Sequence, residues 1–192
     1  MKKLTILATF AVAISLFSFI NAPSTWTLDK SHAKLGFSVT HLSVSEVEGS
    51  FKIFDATINA VNDDFTDATV SLSADAASVN TDSEQRDTHL KSADFFDVTK
   101  FPTITFTSTS FKKVSEGKYK VIGNLTMHGV TKSIELEAKA AMGTNPMSKK
   151  TIAGFKITGK IKRTDFGISA STPSAMVSDE IAINANAEFV KN

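Results

Sequence analysis

Lys34-Leu-Gly-Phe-Ser-Val-Thr40 alternates without a break: Leu35, Phe37 and Val39 take one face, and Lys34, Gly36, Ser38 and Thr40 the other. Successive side chains of an extended chain point to opposite sides, so this spelling makes a strand with one buried and one wet face. The same period recurs outward along the chain. Val70, Leu72 and Ala74 carry it, then Ile104 and Phe106, then Tyr119, Val121, Gly123 and Leu125. Ile134, Leu136 and Ala138 follow, then Phe155, Ile157 and Ile161, and finally Ile181, Ile183 and Ala185. Turn signals separate the runs at Asn62-Asp63-Asp64, Glu116-Gly117-Lys118, His128-Gly129 and Gly143-Thr144-Asn145-Pro146. About eight strands result. Antiparallel strands with one polar face hide their edges by closing on themselves, which predicts an all-β, eight-stranded antiparallel barrel.

Two places break the rhythm. Phe51 and Ile53 are followed by Phe54, Ala56 and Ile58, a phase slip read here as a β-bulge. Residues 83–97 are charged and do not alternate, which predicts a short, partly helical insert held down by Leu90, Phe95 and Phe96. The inward face carries Phe37, Val39, Phe51, Val121, Leu125 and Ile157, with small residues at Gly49, Gly123, Gly159, Ala74 and Ala138. An eight-stranded barrel is just wide enough to be filled by side chains or to hold one small ligand. Small inward residues argue for space, and alternating large and small ones also pack a solid core. The pattern leaves both open.

The N-terminus reads differently. Lys2 and Lys3 precede an apolar run from Leu4 to Ile20 that closes on the small Ala22. This predicts a secretory signal peptide over residues 1–22, cleaved after Ala22, and a single domain over 23–192. The run is shorter than the roughly 20 apolar residues that span a bilayer. The whole chain has 21 basic and 20 acidic residues. Loss of Lys2 and Lys3 leaves it one negative charge from neutrality, and no basic stripe points to nucleic acid. Cysteine is absent, which excludes disulfides, thiolate nucleophiles and cysteine-ligated metal.

Candidates for chemistry are few. His32, His41, His89 and His128 fall on different segments without metal-ligand spacing, so no metal site is expected. His41 continues the inward phase of Phe37 and Val39, at a cavity mouth or bonded to a neighbouring strand. Arg86, Asp87 and His89 lie in the insert. Their simplest reading is a charged network that pins it across one barrel end together with Arg163 or Asp165. There is no Gly-x-Ser-x-Gly elbow and no glycine-rich phosphate loop, so no catalytic residue is assigned.

Several stretches, taken together and in order, carry a resemblance. They are Trp26-Thr-Leu-Asp-Lys-Ser-His32, Phe37-Ser-Val-Thr-His41 and Gly49-Ser-Phe51, then Ser78-Val-Asn-Thr81 and Arg86-Asp-Thr-His-Leu-Lys-Ser-Ala-Asp-Phe-Phe-Asp97. Phe101-Pro-Thr-Ile-Thr-Phe106, Gly123-Asn-Leu-Thr-Met-His-Gly-Val-Thr-Lys132 and Arg163-Thr-Asp-Phe-Gly-Ile168 complete the set. The chain resembles the YceI-like family of bacterial polyisoprenoid-binding proteins, departing from it at Ala33, where the family often has Ser. The resemblance implies a lipocalin-like barrel, export to the periplasm and an apolar tunnel for an isoprenoid lipid or a quinone tail. The expected ligand-binding residues are Phe37, Val39, His41, Phe51, Phe106, Val121, Leu125, Leu136, Phe155 and Ile157. No cofactor besides the bound lipid or quinone is expected, and transient membrane contact and a dimer are both compatible with this reading. Two alternatives stay open: an enzyme acting on an apolar substrate within the barrel, and a solid-cored module that binds another envelope protein.

Overall fold

A computed structural model describes residues 22–192. Residues 1–21, nearly all of the expected signal peptide, lie outside the described part. Ten strands form: β1 Ser24–His41, β2 Ser45–Phe51, β3 Phe54–Ala60, β4 Thr69–Asp75, β5 Val79–Asn80, β6 Thr103–Ser115, β7 Lys118–Met127, β8 Val130–Thr144, β9 Thr151–Lys162 and β10 Val177–Lys191. Every pairing is antiparallel. The order β10-β9-β8-β7-β6-β4-β3-β1 returns on itself through the β1–β10 pairing, which runs from Trp26 opposite Lys191 to His41 opposite Val177. The barrel is closed. Its eight courses match the expected number because β2 and β3 follow each other along β1, while β5 is a two-residue addition at the rim.

The phase slip after Phe51 is not a bulge. The strand stops, and Lys52 and Ile53 turn a corner. The backbone N–H of Lys52 donates to the Ser78 carbonyl (3.1 Å), and that of Ile53 donates to the Ser78 hydroxyl (3.0 Å). The corner matters for the wall. On its β2/β3 side, β1 is paired from Ser24 to Thr27 and again from Leu35 to His41, but not between. Real register shifts occur on the opposite side of β1, between Asp29 and Ala33 and between Val39 and His41.

Short turns follow the expected chemistry. His128 and Gly129 both have positive φ (52° and 74°), the backbone that a two-residue hairpin requires. The insert spans one end of the barrel. Helix α1, Glu84–Lys91, is followed by tight turns, and the Ala76 N–H bonds the Pro102 carbonyl (2.9 Å), joining the two feet of the excursion. A second crossing segment joins β9 to β10. It begins with a 3-10 turn over Arg163–Phe166 that ends at Gly167, whose φ of 70° favours glycine.

Candidate functional site

The barrel is filled at one end and hollow towards the other. At the end that holds both described termini, Trp26, Phe65, Phe155 and Phe189 stack in sequence, with ring centroids 5.1, 5.1 and 5.8 Å apart. Phe111 extends this plug to Tyr119 (5.0 Å). Edge and tilted contacts at these distances are those aromatic rings favour. Above the plug lies a cavity of about 250 Å³. Phe111, Phe155 and Phe189 are its floor, and Leu90, Phe95 and Phe96 of the insert close it from the other end. Phe96 sits edge-on to Phe51 at 5.5 Å. The insert is therefore a roof as well as an anchored excursion.

Nine of the ten expected ligand-binding residues line this cavity: Phe37, Val39, Phe51, Phe106, Val121, Leu125, Leu136, Phe155 and Ile157. His41 does not. The strand runs out at the rim: His41 is the last residue of β1 and is exposed, opposite Ser45 on β2 and Val177 on β10. Sequence reasoning passed over Ile58, Val70, Leu72, Ile134 and Ile183, which line the same space. Their alternation was legible, but residue type alone does not say which apolar positions meet a void.

The small inward residues do not create the space directly. An added Cβ at Gly49 meets the Phe37 ring at 2.3 Å, one at Gly123 meets the Phe106 ring at 2.3 Å, and one at Gly159 meets Leu136 Cδ2 at 2.4 Å. Each glycine is covered by a large neighbour lying along the wall. The lumen stays open because these side chains lie flat where glycine permits it.

Among the described residues, the only ionisable groups in the lining are Lys34 and Arg163. Arg163 is 3% exposed, and its donors go to backbone. They reach the carbonyls of Ile168 (3.2 Å), Thr172 (2.7 Å), Val177 (3.1 Å) and Ser178 (3.2 Å), together with that of Ser169. The expected joint network of Arg86, Asp87 and Arg163 is two separate ones. Asp87 is buried and accepts from the Thr81 N–H (2.8 Å) and hydroxyl (2.6 Å), while Arg86 donates to the same hydroxyl and to the Thr81 carbonyl, both at 2.7 Å. That network ties α1 to β5. Arg163 organises the β9–β10 crossing because five carbonyls converge there.

The histidines lie apart from the lumen. His128 Nδ1 donates to the Phe166 carbonyl (3.1 Å), and His89 pairs with Asp94 (3.3 Å). His32 is 2.9 Å from Asp29, and Glu188 completes the one group of three potential ligand side chains among the described residues. This group is on the outer wall. Bonds from Ser31, then from His32, hold the Asp29 carboxyl down at about 2, and the bond to Asp29 raises His32. The arrangement is satisfied within itself.

The comparisons with known proteins agree with this architecture. Protein YceI of Salmonella newport (strain SL254) is 40% identical over 179 residues, covering 91% of this chain and 93% of its own. A UPF0312 protein of Staphylococcus aureus (strain MSSA476) is 36% identical over 169 residues, covering 85% of this chain and 96% of its own. Among solved structures, the Campylobacter jejuni YCEI protein has a TM-score of 0.73 at 36% identity, over 80% of this chain and 90% of that one. A polyisoprenoid binding domain from Saccharophagus degradans, implicated in plant cell wall breakdown, shares the fold with a TM-score of 0.62 at 16% identity, over 87% of this chain and 98% of that one. With a YceI-like domain matched over residues 26–189, and with relatives of this identity and coverage, the chain belongs to the YceI-like family.

Proposed function

We propose that the protein is a non-enzymatic, periplasmic carrier or store that holds an isoprenoid lipid or quinone tail in its lumen. The observation that carries this is the cavity itself: bounded by an aromatic floor and the roof of the insert, and apolar throughout apart from Lys34 and the backbone-bound Arg163. Such a lining takes up hydrocarbon and offers nothing to a polar reactant. No acid–base pair faces the lumen among the described residues, which favours holding over turnover. The similarity to a polyisoprenoid binding domain supports the ligand class.

Each buried CH₂ contributes roughly 0.8 kcal/mol. A bilayer offers the same chain an equally apolar solvent, so selectivity rests on shape, and release stays accessible. On the scale where a cavity of roughly 150 Å³ takes one benzene, this lumen takes about ten carbons as it stands. A longer chain requires the roof of Leu90, Phe95 and Phe96 to move. Native mass spectrometry with solvent extraction, on protein purified after export without harsh detergent, tests the reading. An equimolar adduct of isoprenoid mass is expected. A clean apo mass that persists after incubation with lipid vesicles would overturn it.

A further inference from the structure

The outer wall carries a row of lysines that the fold does not use. Register places Lys118 opposite Lys139, Lys139 opposite Lys156, Lys156 opposite Asn186 and Asn186 opposite Lys34. Neighbouring strands lie about 4.8 Å apart, so the row follows the outside of β7, β8, β9, β10 and β1 for about 19 Å, half of the way round the closed barrel. All four lysines are exposed. None makes an ion pair among the described residues, whereas Lys113, Lys120, Lys160 and Lys191 each do. Like charges directly opposite one another disfavour a sheet. Two such pairs in succession are therefore not explained by the barrel's own stability.

Two further features adjoin the row. Lys34 also borders the lumen, and it ends the stretch of β1 that has no partner on the β2/β3 side. The β8–β9 hairpin, which carries Lys139 and Lys156, runs past the β6–β7 turn to Met147, which is 90% exposed and followed by Lys149 and Lys150. Free cations beside an exposed apolar tip are what an anionic membrane surface attracts and anchors. Glu188 shares a shallow outer hollow with Lys139, Lys156 and Asn186 without pairing to either lysine, and the Asp29 carboxylate opposite it is occupied by His32 and Ser31.

We propose that the β7–β9 part of this wall docks on a bilayer rich in anionic phospholipid, with Lys118, Lys139 and Lys156 on the headgroups and Met147 at the interface. The proposal rests on the lipid-holding reading and adds where loading takes place. The chain is almost neutral as a whole, so the attraction is local and falls within about a Debye length, near 8 Å at physiological salt.

The test is co-sedimentation of the full mature chain with phosphatidylcholine vesicles that carry an isoprenoid quinone, with and without phosphatidylglycerol, at low and physiological salt. Native mass spectrometry of the same samples reads lumen occupancy. Association only with the anionic vesicles, weakened by salt, is expected. Partitioning drops about fivefold for each lysine replaced, and so about a hundredfold in the triple variant K118Q/K139Q/K156Q, with its melting temperature as a check on folding. Absence of association with anionic vesicles at low salt overturns the proposal. So does a folded triple variant that associates like wild type, or retention on heparin without vesicle binding, which assigns the row to a soluble polyanion. Protein that associates but leaves with an empty lumen sinks the lipid-holding reading and supports docking. Protein that fills from detergent-dispersed lipid yet ignores vesicles does the reverse.

Discussion

At the scale of single residues, the decisive polar groups are those whose partners are backbone. Hydrogen bonds to a charged donor contribute about 1.5–3 kcal/mol each, so Arg163→Ala destabilises by at least about 3 kcal/mol in chemical denaturation. Arg163→Lys recovers little, since an ammonium lacks the planar fork that reaches several carbonyls at once. Arg86 is exposed and serves only Thr81, so Arg86→Ala costs about 1 kcal/mol and leaves ligand selection unchanged, as uptake from mixed lipids checks. The Asp29–His32 pair gives a pH signature. The depressed Asp29 contributes stability above its unfolded value near 4, lost as pH falls towards 2; the raised His32 contributes below its unfolded value near 6.5, lost as pH rises through its folded value. The melting difference between wild type and His32→Gln is therefore largest between about pH 4 and 6.5 and disappears at higher pH. None of this was readable for Arg163, because carbonyl acceptors leave no mark in a sequence.

At the scale of elements, the strands were legible because period two survived intact in Leu35-Phe37-Val39 and its successors. The corner at Lys52-Ile53 was not, since a slipped phase reads alike for a bulge and for a break. His41 was misplaced for a different reason: alternation tells which face a residue takes but not where the strand leaves the barrel, and His41 is the exposed last residue of β1. The insert was recognisable by its charge, but its second role as a roof depends on where Phe95 and Phe96 land. The glycine–ring pairs give this scale its sharpest test. Gly49→Ala drives the Phe37 ring off the wall, with side-chain obstacles alone at 2.3, 2.8 and 2.9 Å. It costs about 1–3 kcal/mol and lowers lipid capacity. The double variant Gly49→Ala/Phe37→Ala restores capacity, and loss of uptake in both would show that the ring is not the obstacle.

At the scale of the whole molecule, the barrel has one permanent end and one movable one. The aromatic plug joins strands from both chain ends, whereas the roof hangs on two feet and the Thr81 network. Traffic into the lumen is expected at the roof or at the stretch of β1 that lacks backbone pairing on its β2/β3 side, never through the plug. Phe96→Ala removes the ring that seals against Phe51 and speeds release of a bound chain by about tenfold or more, with stability reduced by about 3 kcal/mol or less since Phe96 is half-buried. Stopped-flow transfer to acceptor vesicles measures it; an unchanged release rate assigns passage to β1 instead.

Trp26 is the sole tryptophan of the chain, fully buried in the plug, and its indole Nε1 has no hydrogen-bond partner. An indole kept from water and from any acceptor fluoresces at the blue limit of its range. The protein therefore carries an internal lamp without a label. Its emission stays blue while lipid comes and goes above the plug, and it turns red only when the sealed end opens, so one wavelength separates emptying from unfolding.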